Sequence, residues 1–285
     1  MPPAGAQARV NTAIEPAEGT PLVYQCALPL SRQTLTFTAD LLRAHLKKIG
    51  SRWRKLPPGK IALIVLATLR HDHRLADMAG GNGVSASTID RWTWEITGLL
   101  AARAPRLDRA LARIKKEGGE AVLLDGTLIS TRRRAGAANR KNYNGKHKKH
   151  GLLFLALTDE RGNLIWISSA RRGAASEITA ARHDHLAARL RAAGLGALAD
   201  LGFTGLDPDP ADPVIITGCK STRTSKTSPA QRQASQALSA GRAPVEHGFS
   251  DLKNWRILTR LRLDPGKATI LLRALLVLTR QHTTR

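Results

Sequence analysis

The chain has 285 residues, with 45 Lys and Arg against 22 Asp and Glu, a net charge of +23 and a pI near 11.3. Hydrophobic residues make up 42% and aromatics only 4%, enough for one large or two modest domains whose core is Leu, Ala, Val and Ile. An excess of one sign this large is out of line with an average cytosolic enzyme and points to a polyanion, nucleic acid ahead of an anionic membrane surface. Cys26 and Cys219 lie far apart and form no CxxC pair, which argues against a cysteine-type zinc site and suits a reducing compartment. The first residues lack the apolar core of a signal peptide, and the longest apolar runs, 61–69 and 270–278, are too short to span a bilayer. The expectation is a soluble, intracellular protein with no membrane partner.

Residues 1–33 mix Pro, Ala, Gly and polar residues without periodicity and read as a loosely ordered lead-in. Residues 34–105 read as a small helical domain. A first helix covers 38–49, and a second, apolar nearly all round, begins at Lys60 after Pro57-Pro58-Gly59. A short helix over 74–79 then ends in Gly80-Gly81-Asn82-Gly83, and Ser85 or Ser87 caps a further helix reaching about Leu100. The pair is similar to a helix-turn-helix with a turn a residue or two longer than usual. On that reading Ser85, Ser87, Thr88 and Arg91 face DNA; otherwise the unit is a helical hairpin used for packing or dimerisation. A short charged helix covers 107–116, and Gly118-Gly119 marks a boundary before a second domain, 118–285.

The texture then becomes strand-like. Apolar runs at 121–130, 151–159 and 163–169 predict three consecutive strands, the last two a hairpin turning at 159–162. A helix over 176–193 follows, then a short strand ending at Asp200, a strand over 213–218, a polar basic stretch over 220–236, a helix over 241–258 and a closing helix over 267–280. The fold class is α/β: this order matches a ribonuclease H-like mixed sheet with flanking helices, preceded by the all-α unit. In that layout Asp125, Asp200 and Glu246 converge from elements distant in sequence.

An acid inside an apolar strand is costly unless paired or metal-bound, so Asp125, preceded by Val122-Leu123-Leu124, needs a reason. In the 241–258 helix Pro244 suits a first turn, Arg242 stands at its edge, and Glu246 shares a stripe with Lys253 beside a packing face of Val245, Phe249, Leu252 and the Arg256 stem. An amphipathic helix with ordinary charges is the plain alternative. Three converging carboxylates can hold two Mg²⁺ ions roughly 3.5–4 Å apart for in-line attack on a phosphodiester. Between 132 and 150 lie Arg132, Arg133, Arg134, Arg140, Lys141, Lys146, Lys148 and Lys149, a solvated basic loop or a clamp on the phosphate backbone, with Tyr143 able to stack on a base. The nine histidines show no HExxH spacing and read as structural or DNA-contacting.

Together these residues resemble the DDE-type transposases of bacterial insertion sequences, with a ribonuclease H-like integrase core. The resemblance is carried by Leu124-Asp125-Gly126-Thr127, by Tyr143 through Gly151, by Ala199-Asp200-Leu201-Gly202-Phe203, and by Arg242-x₃-Glu246-x₆-Lys253 followed by Trp255-Arg256-Ile257-Leu258, within roughly residues 37–280. It implies that Asp125, Asp200 and Glu246 are the catalytic, metal-binding acids, with Mg²⁺ (Mn²⁺ substituting) at two ions per site. Arg242 and Lys253 would contact DNA or position the glutamate. It also implies a cytoplasmic, nucleoid-associated protein whose partners are double-stranded DNA, as terminal inverted repeats and target, and a second copy of itself in a homodimer or higher oligomer. Two positions depart from the pattern: Ser239 stands where a tyrosine is common, and Leu201 where a basic residue usually follows the second acid. The competing readings are a catalytically inactive, transposase-derived DNA-binding protein and a ribonuclease H-like nuclease acting on RNA or hybrids. The helix-turn-helix argues against the latter.

Overall fold

A computed structural model describes residues 26–51, 54–132, 137–207, 209, 211–219, 228–262 and 264–283. The side chains of residues 137, 138, 242, 243, 245, 246, 282 and 283 lie outside that description. The expected lead-in falls largely outside the described residues, and Arg32 and Gln33 already belong to a helix.

Helix α1 (Arg32–Lys48) starts where Ser31 accepts a hydrogen bond from the Thr34 N–H. Helix α2 (Pro58–His71) starts on Pro58, whose missing N–H is harmless in a first turn. It ends at Asp72 in the left-handed conformation (φ 54), and burial, with His73 beside it, holds the His71 imidazole below its ordinary range. Helix α3 (Leu75–Gly80) and helix α4 (Ala86–Ala101) flank a turn in which Gly83 takes φ 62 and the Val84 N–H donates to the Ala79 carbonyl. Ser85 caps α4. Helix α5 (Leu107–Lys116) leads into the sheet.

Strand β1 (Ala121–Ser130) is central. A four-residue helix, α6 (Ala137–Arg140), and a two-residue strand, β2 (Tyr143–Asn144), precede β3 (Lys149–Thr158), which pairs antiparallel with β1. Strands β4 (Leu164–Ile167) and β5 (Arg171–Arg172) pair antiparallel with β3. After helices α7 (Glu177–His183) and α8 (Leu186–Ala193), β6 (Gly196–Ala199) pairs parallel with β1, and β7 (Ile215–Thr217) parallel with β6. Helix α9 (Pro229–Lys253) and helix α10 (Pro265–Thr283) close the chain. The result is a mixed sheet, ordered β2-β3-β1-β6-β7, with helices on both faces. This is the arrangement of a ribonuclease H-like fold.

Side-chain alternation divides the core. Leu123 and Ile129 of β1 join a cluster with the N-terminal helices, α9 and α10. Val122 and Leu124 join α5, α7 and α8 on the other face. Trp255, 1% exposed, donates its indole N–H to Thr279 and fixes the chain after α9 against α10.

Three expectations are corrected. The helix expected over 241–258 begins at Pro229, with Ser228 and Gln231 forming a reciprocal capping box. Pro244 and Arg242 therefore lie inside it, and Arg256 stands beyond its end, exposed, in a 3₁₀ turn. The helix expected over 176–193 is two helices, because His185 adopts φ 53 between them. The strand before Asp200 starts at Gly196 and stops at Ala199, leaving Asp200 to cap a 3₁₀ turn.

The turn after β3 meets α9 closely. Gly162 takes φ +86, and a Cβ there would collide with the Pro244 carbonyl. Gly50 has a similar φ of +64, but a Cβ there would meet nothing within 4 Å among the described residues. Gly162→Ala should therefore lower the unfolding free energy by about 3 kcal/mol, from backbone strain plus overpacking. Gly50→Ala should lower it by only about 1 kcal/mol. Denaturant titrations of the two variants side by side check this difference.

Candidate active site

Parallel pairing sets the first two acids beside each other. Leu124 is in register with Ala199, on strands about 4.8 Å apart, so the next residues are Asp125 within β1 and Asp200 just past the end of β6. By alternation Asp125 shares the face of Leu123, and Asp200 that of Leu198, the face on which α9 lies. Both acids are half-buried. Asp125 Oδ1 accepts the Gly126 N–H at 2.8 Å, and Asp200 Oδ1 the Gly202 N–H at 2.8 Å. Each carboxylate is thus oriented by the backbone N–H of a glycine in its own motif.

Helix α9 crosses this face. Gly241 packs on Leu198 of β6, and Gly248 on Thr158 and Leu164 of β3 and β4. Seven residues of helix rise about 10 Å, close to two strand spacings, so the backbone between them passes over β1. Glu246 lies in that stretch. It is eleven residues, three turns, after Ser235 and on the same stripe. Ser235 accepts the Cys219 N–H at 3.0 Å just past the end of β7. Position 246 therefore lies on the part of α9 that passes above the central strand. The side chains of Glu246 and Arg242 lie outside the described residues; Lys253, exposed, reaches over the Phe249 ring at 5.7 Å.

A further acid enters from the opposite face. Glu177 opens α7 directly after its cap Ser176. A Cβ on Gly126 would lie 2.6 Å from Glu177 Oε1, and one on Gly202 would strike Glu177 Oε2 while lying 2.9 Å from Asp200 Oδ1. The two glycines form a cradle around the Glu177 carboxylate, which comes near Asp200 at Gly202. Glu177 is inconspicuous in the sequence, because an acid in a first helical turn is explained by the helix dipole alone. The available signal was the glycine following each strand acid. Carboxylate oxygens are the hard ligands that suit Mg²⁺ or Mn²⁺, and Glu177 Oε2 and Asp200 Oδ1 both come to Gly202.

The basic run lies elsewhere on the sheet. Ser130, which ends β1, is five residues beyond Asp125, about 17 Å along the strand. There Tyr143 and Asn144 pair with His150 and Lys149 in a small hairpin. Arg132, Arg140, Lys141, Lys146, Lys148 and Lys149 are exposed, Tyr143 is 43% exposed against the His150 ring, and Arg133 and Arg134 lie outside the described residues. At the start of α4, Ser85, Ser87 and Arg91 are exposed and Thr88 is half-buried. Thr88 donates to and contacts Ser85, and Arg91 reaches Thr88 Oγ1 at 3.4 Å. Among the described residues no helix is long and apolar enough to cross a membrane.

Searches of curated proteins and of solved structures gave no match. A protein-family model described as DDE superfamily endonuclease matches residues 124–280, from the residue before Asp125 through most of α10. That span contains both strand acids, Glu177, the whole of α9 and more than half of the chain, and so the chain belongs to the DDE superfamily endonucleases, a family of metal-dependent nucleases.

Proposed function

We propose that this endonuclease is a transposase, which binds the ends of its own DNA element and catalyses strand cleavage and strand transfer. The observation that carries the reading is the in-register placement of Asp125 beside Asp200 under the helix that bears Glu246, in a chain of this family. Asp125, Asp200 and Glu246 would hold two divalent ions, Mg²⁺ or in its place Mn²⁺. When bound, the ions activate a water or a 3′-hydroxyl and stabilise the leaving oxygen of the phosphodiester. The chain's own part is to orient these ligands. The Gly126 and Gly202 N–H groups hold the Asp125 and Asp200 carboxylates in fixed rotamers, and Glu177 stands as a fourth carboxylate at the same cradle.

Double-stranded DNA is gripped by charge. The exposed hairpin cations Lys146, Lys148 and Lys149, with Arg140 and Lys141, contact the phosphate backbone. Arg242 and Lys253 do so nearer the acids. The α3–α4 unit acts as a helix-turn-helix that presents Ser85, Ser87, Thr88 and Arg91 to the terminal inverted repeat. Joining two ends to a target calls for at least a homodimer.

In a cleavage assay on a labelled duplex carrying the flanking repeats, wild-type protein with Mg²⁺ or Mn²⁺ should nick at the repeat end. Asp125→Ala, Asp200→Ala and Glu246→Ala should each slow nicking by roughly a thousandfold or more, about 4 kcal/mol of barrier. Binding without cleavage by wild type in either metal contradicts the enzyme, and cleavage that survives all three substitutions contradicts the site. Glu177→Gln, which keeps the shape of the side chain, should weaken Mn²⁺ binding measured by calorimetry about tenfold without changing the unfolding midpoint of the metal-free protein; unchanged affinity removes Glu177 from the ligand set. Lys146→Ala, Lys148→Ala and Lys149→Ala combined should lower the slope of log affinity against log salt by up to about 2.7, since each phosphate contact contributes about 0.9. An unchanged slope would assign these lysines to the solvated surface.

A further inference from the structure

A second group of ligand-type side chains lies well away from the acids, where the segment before α1 passes the end of α2. Cys26 Sγ, a ring nitrogen of His71 and a ring nitrogen of His73 all fall within 4.8 Å of one another. Cys26 Sγ stands 3.6 Å from His73 Nε2. A tetrahedral zinc ion with Zn–S of about 2.3 Å and Zn–N of about 2.05 Å has an S-to-N edge of about 3.6 Å. The spacing is therefore that of two ligands on one ion.

The backbone has a specific device for bringing the two histidines together. Residues two apart on a continuous helix point in different directions. Here α2 ends between them, because Asp72 takes φ 54 and ψ 40, an unfavourable conformation for a residue with a Cβ. The turn brings the His71 and His73 rings to 5.2 Å between centroids.

His71 supplies an independent sign. Its Nε2 is buried and has no hydrogen-bond partner among the described residues, and its ring is bonded to the backbone of Ala27, the neighbour of Cys26. A backbone carbonyl on one ring nitrogen fixes the tautomer and leaves the other as a lone pair, which is how metal-bound histidines are commonly oriented. A buried ring nitrogen with no partner is otherwise costly.

We propose that Cys26, His71 and His73 form a site for a transition-metal ion of the zinc type, with water as the fourth ligand, and that the ion fastens the chain before α1 to the corner between α2 and α3. One thiolate and two imidazoles select Zn²⁺ or Co²⁺ over Mg²⁺, the preference opposite to that of the carboxylate cradle. The site is independent of the catalytic ions and of the transposase reading. Its ligands escape a search for CxxC or HExxH spacing because Cys26 is 45 residues from His71 in sequence.

Cobalt titration of the full-length, metal-free, reduced protein tests the proposal. One equivalent of Co²⁺ should give the intense visible bands of tetrahedral coordination and a near-ultraviolet thiolate-to-cobalt band, and Zn²⁺ should bleach both. Cys26→Ser should abolish the thiolate band, and His73→Gln should weaken binding at least about tenfold. Cys219→Ser, which removes the other exposed thiol, and the Asp125→Asn, Asp200→Asn double variant should leave the spectrum unchanged. Circular dichroism would confirm that each variant is folded. If Cys26→Ser proves unfolded, a rise in the wild-type unfolding temperature with Zn²⁺ that is lost in His73→Gln is the expected equivalent. Wild-type protein giving only weak octahedral bands, or bands that survive Cys26→Ser or vanish with Cys219→Ser, would overturn the site.

Discussion

The structure turns on the register between two parallel strands. Pairing Leu124 with Ala199 sets Asp125 and Asp200 next to each other on one face. A slip of one residue in β6 would carry Asp200 to the other face. Parallel pairing also requires a crossover, which α7 and α8 provide, and the crossover brings Glu177 against Gly126 and Gly202. Carboxylates gathered this closely repel one another. Each strand acid is therefore held by a backbone N–H, in a chain of net charge +23 whose field favours anions throughout.

The rest of the molecule keeps that register in place and covers it. One face of the sheet rests on α5, α7 and α8. The other is shared by α9, α10 and the N-terminal helices in a single continuous cluster. The DDE endonuclease core and the helices before it are thus joined by packing, with α10 lying against α4. Helix α9 joins the two roles: Phe249 and Leu252 are buried beneath it, while its backbone carries position 246 across β1. Pro244 interrupts the hydrogen-bond ladder there, and Gly162 allows the turn after β3 to approach at that level.

Much of the fold could be read from the chain, for identifiable reasons. Strand β1 was found with its bounds because an acid inside an apolar run is conspicuous, and the β3–β4 hairpin because Asp159 through Gly162 punctuates two such runs. The cap of α4 is narrowed by sequence to Ser85 or Ser87, and Ser85 fills it. The start of helix α9 differs from the expected 241 because Pro229, behind a polar capping box, fills the first-turn place that Pro244 also suits by residue type. The break at His185 depends on a left-handed residue that is not glycine, which composition does not announce. Asp125 and Asp200 stood out because each interrupts or ends an apolar strand. Glu177 and the Cys26, His71 and His73 group did not, because neither has local spacing; tertiary contact alone defines them.

The central claim is that Asp125, Asp200 and Glu246 form one divalent-metal site. An anomalous-difference map from crystals soaked in Mn²⁺ tests it directly. The account predicts manganese density between the carboxylates of Asp125 and Asp200, with Glu246 in contact. Well-ordered carboxylates without a peak between them, or manganese bound only elsewhere, would contradict it.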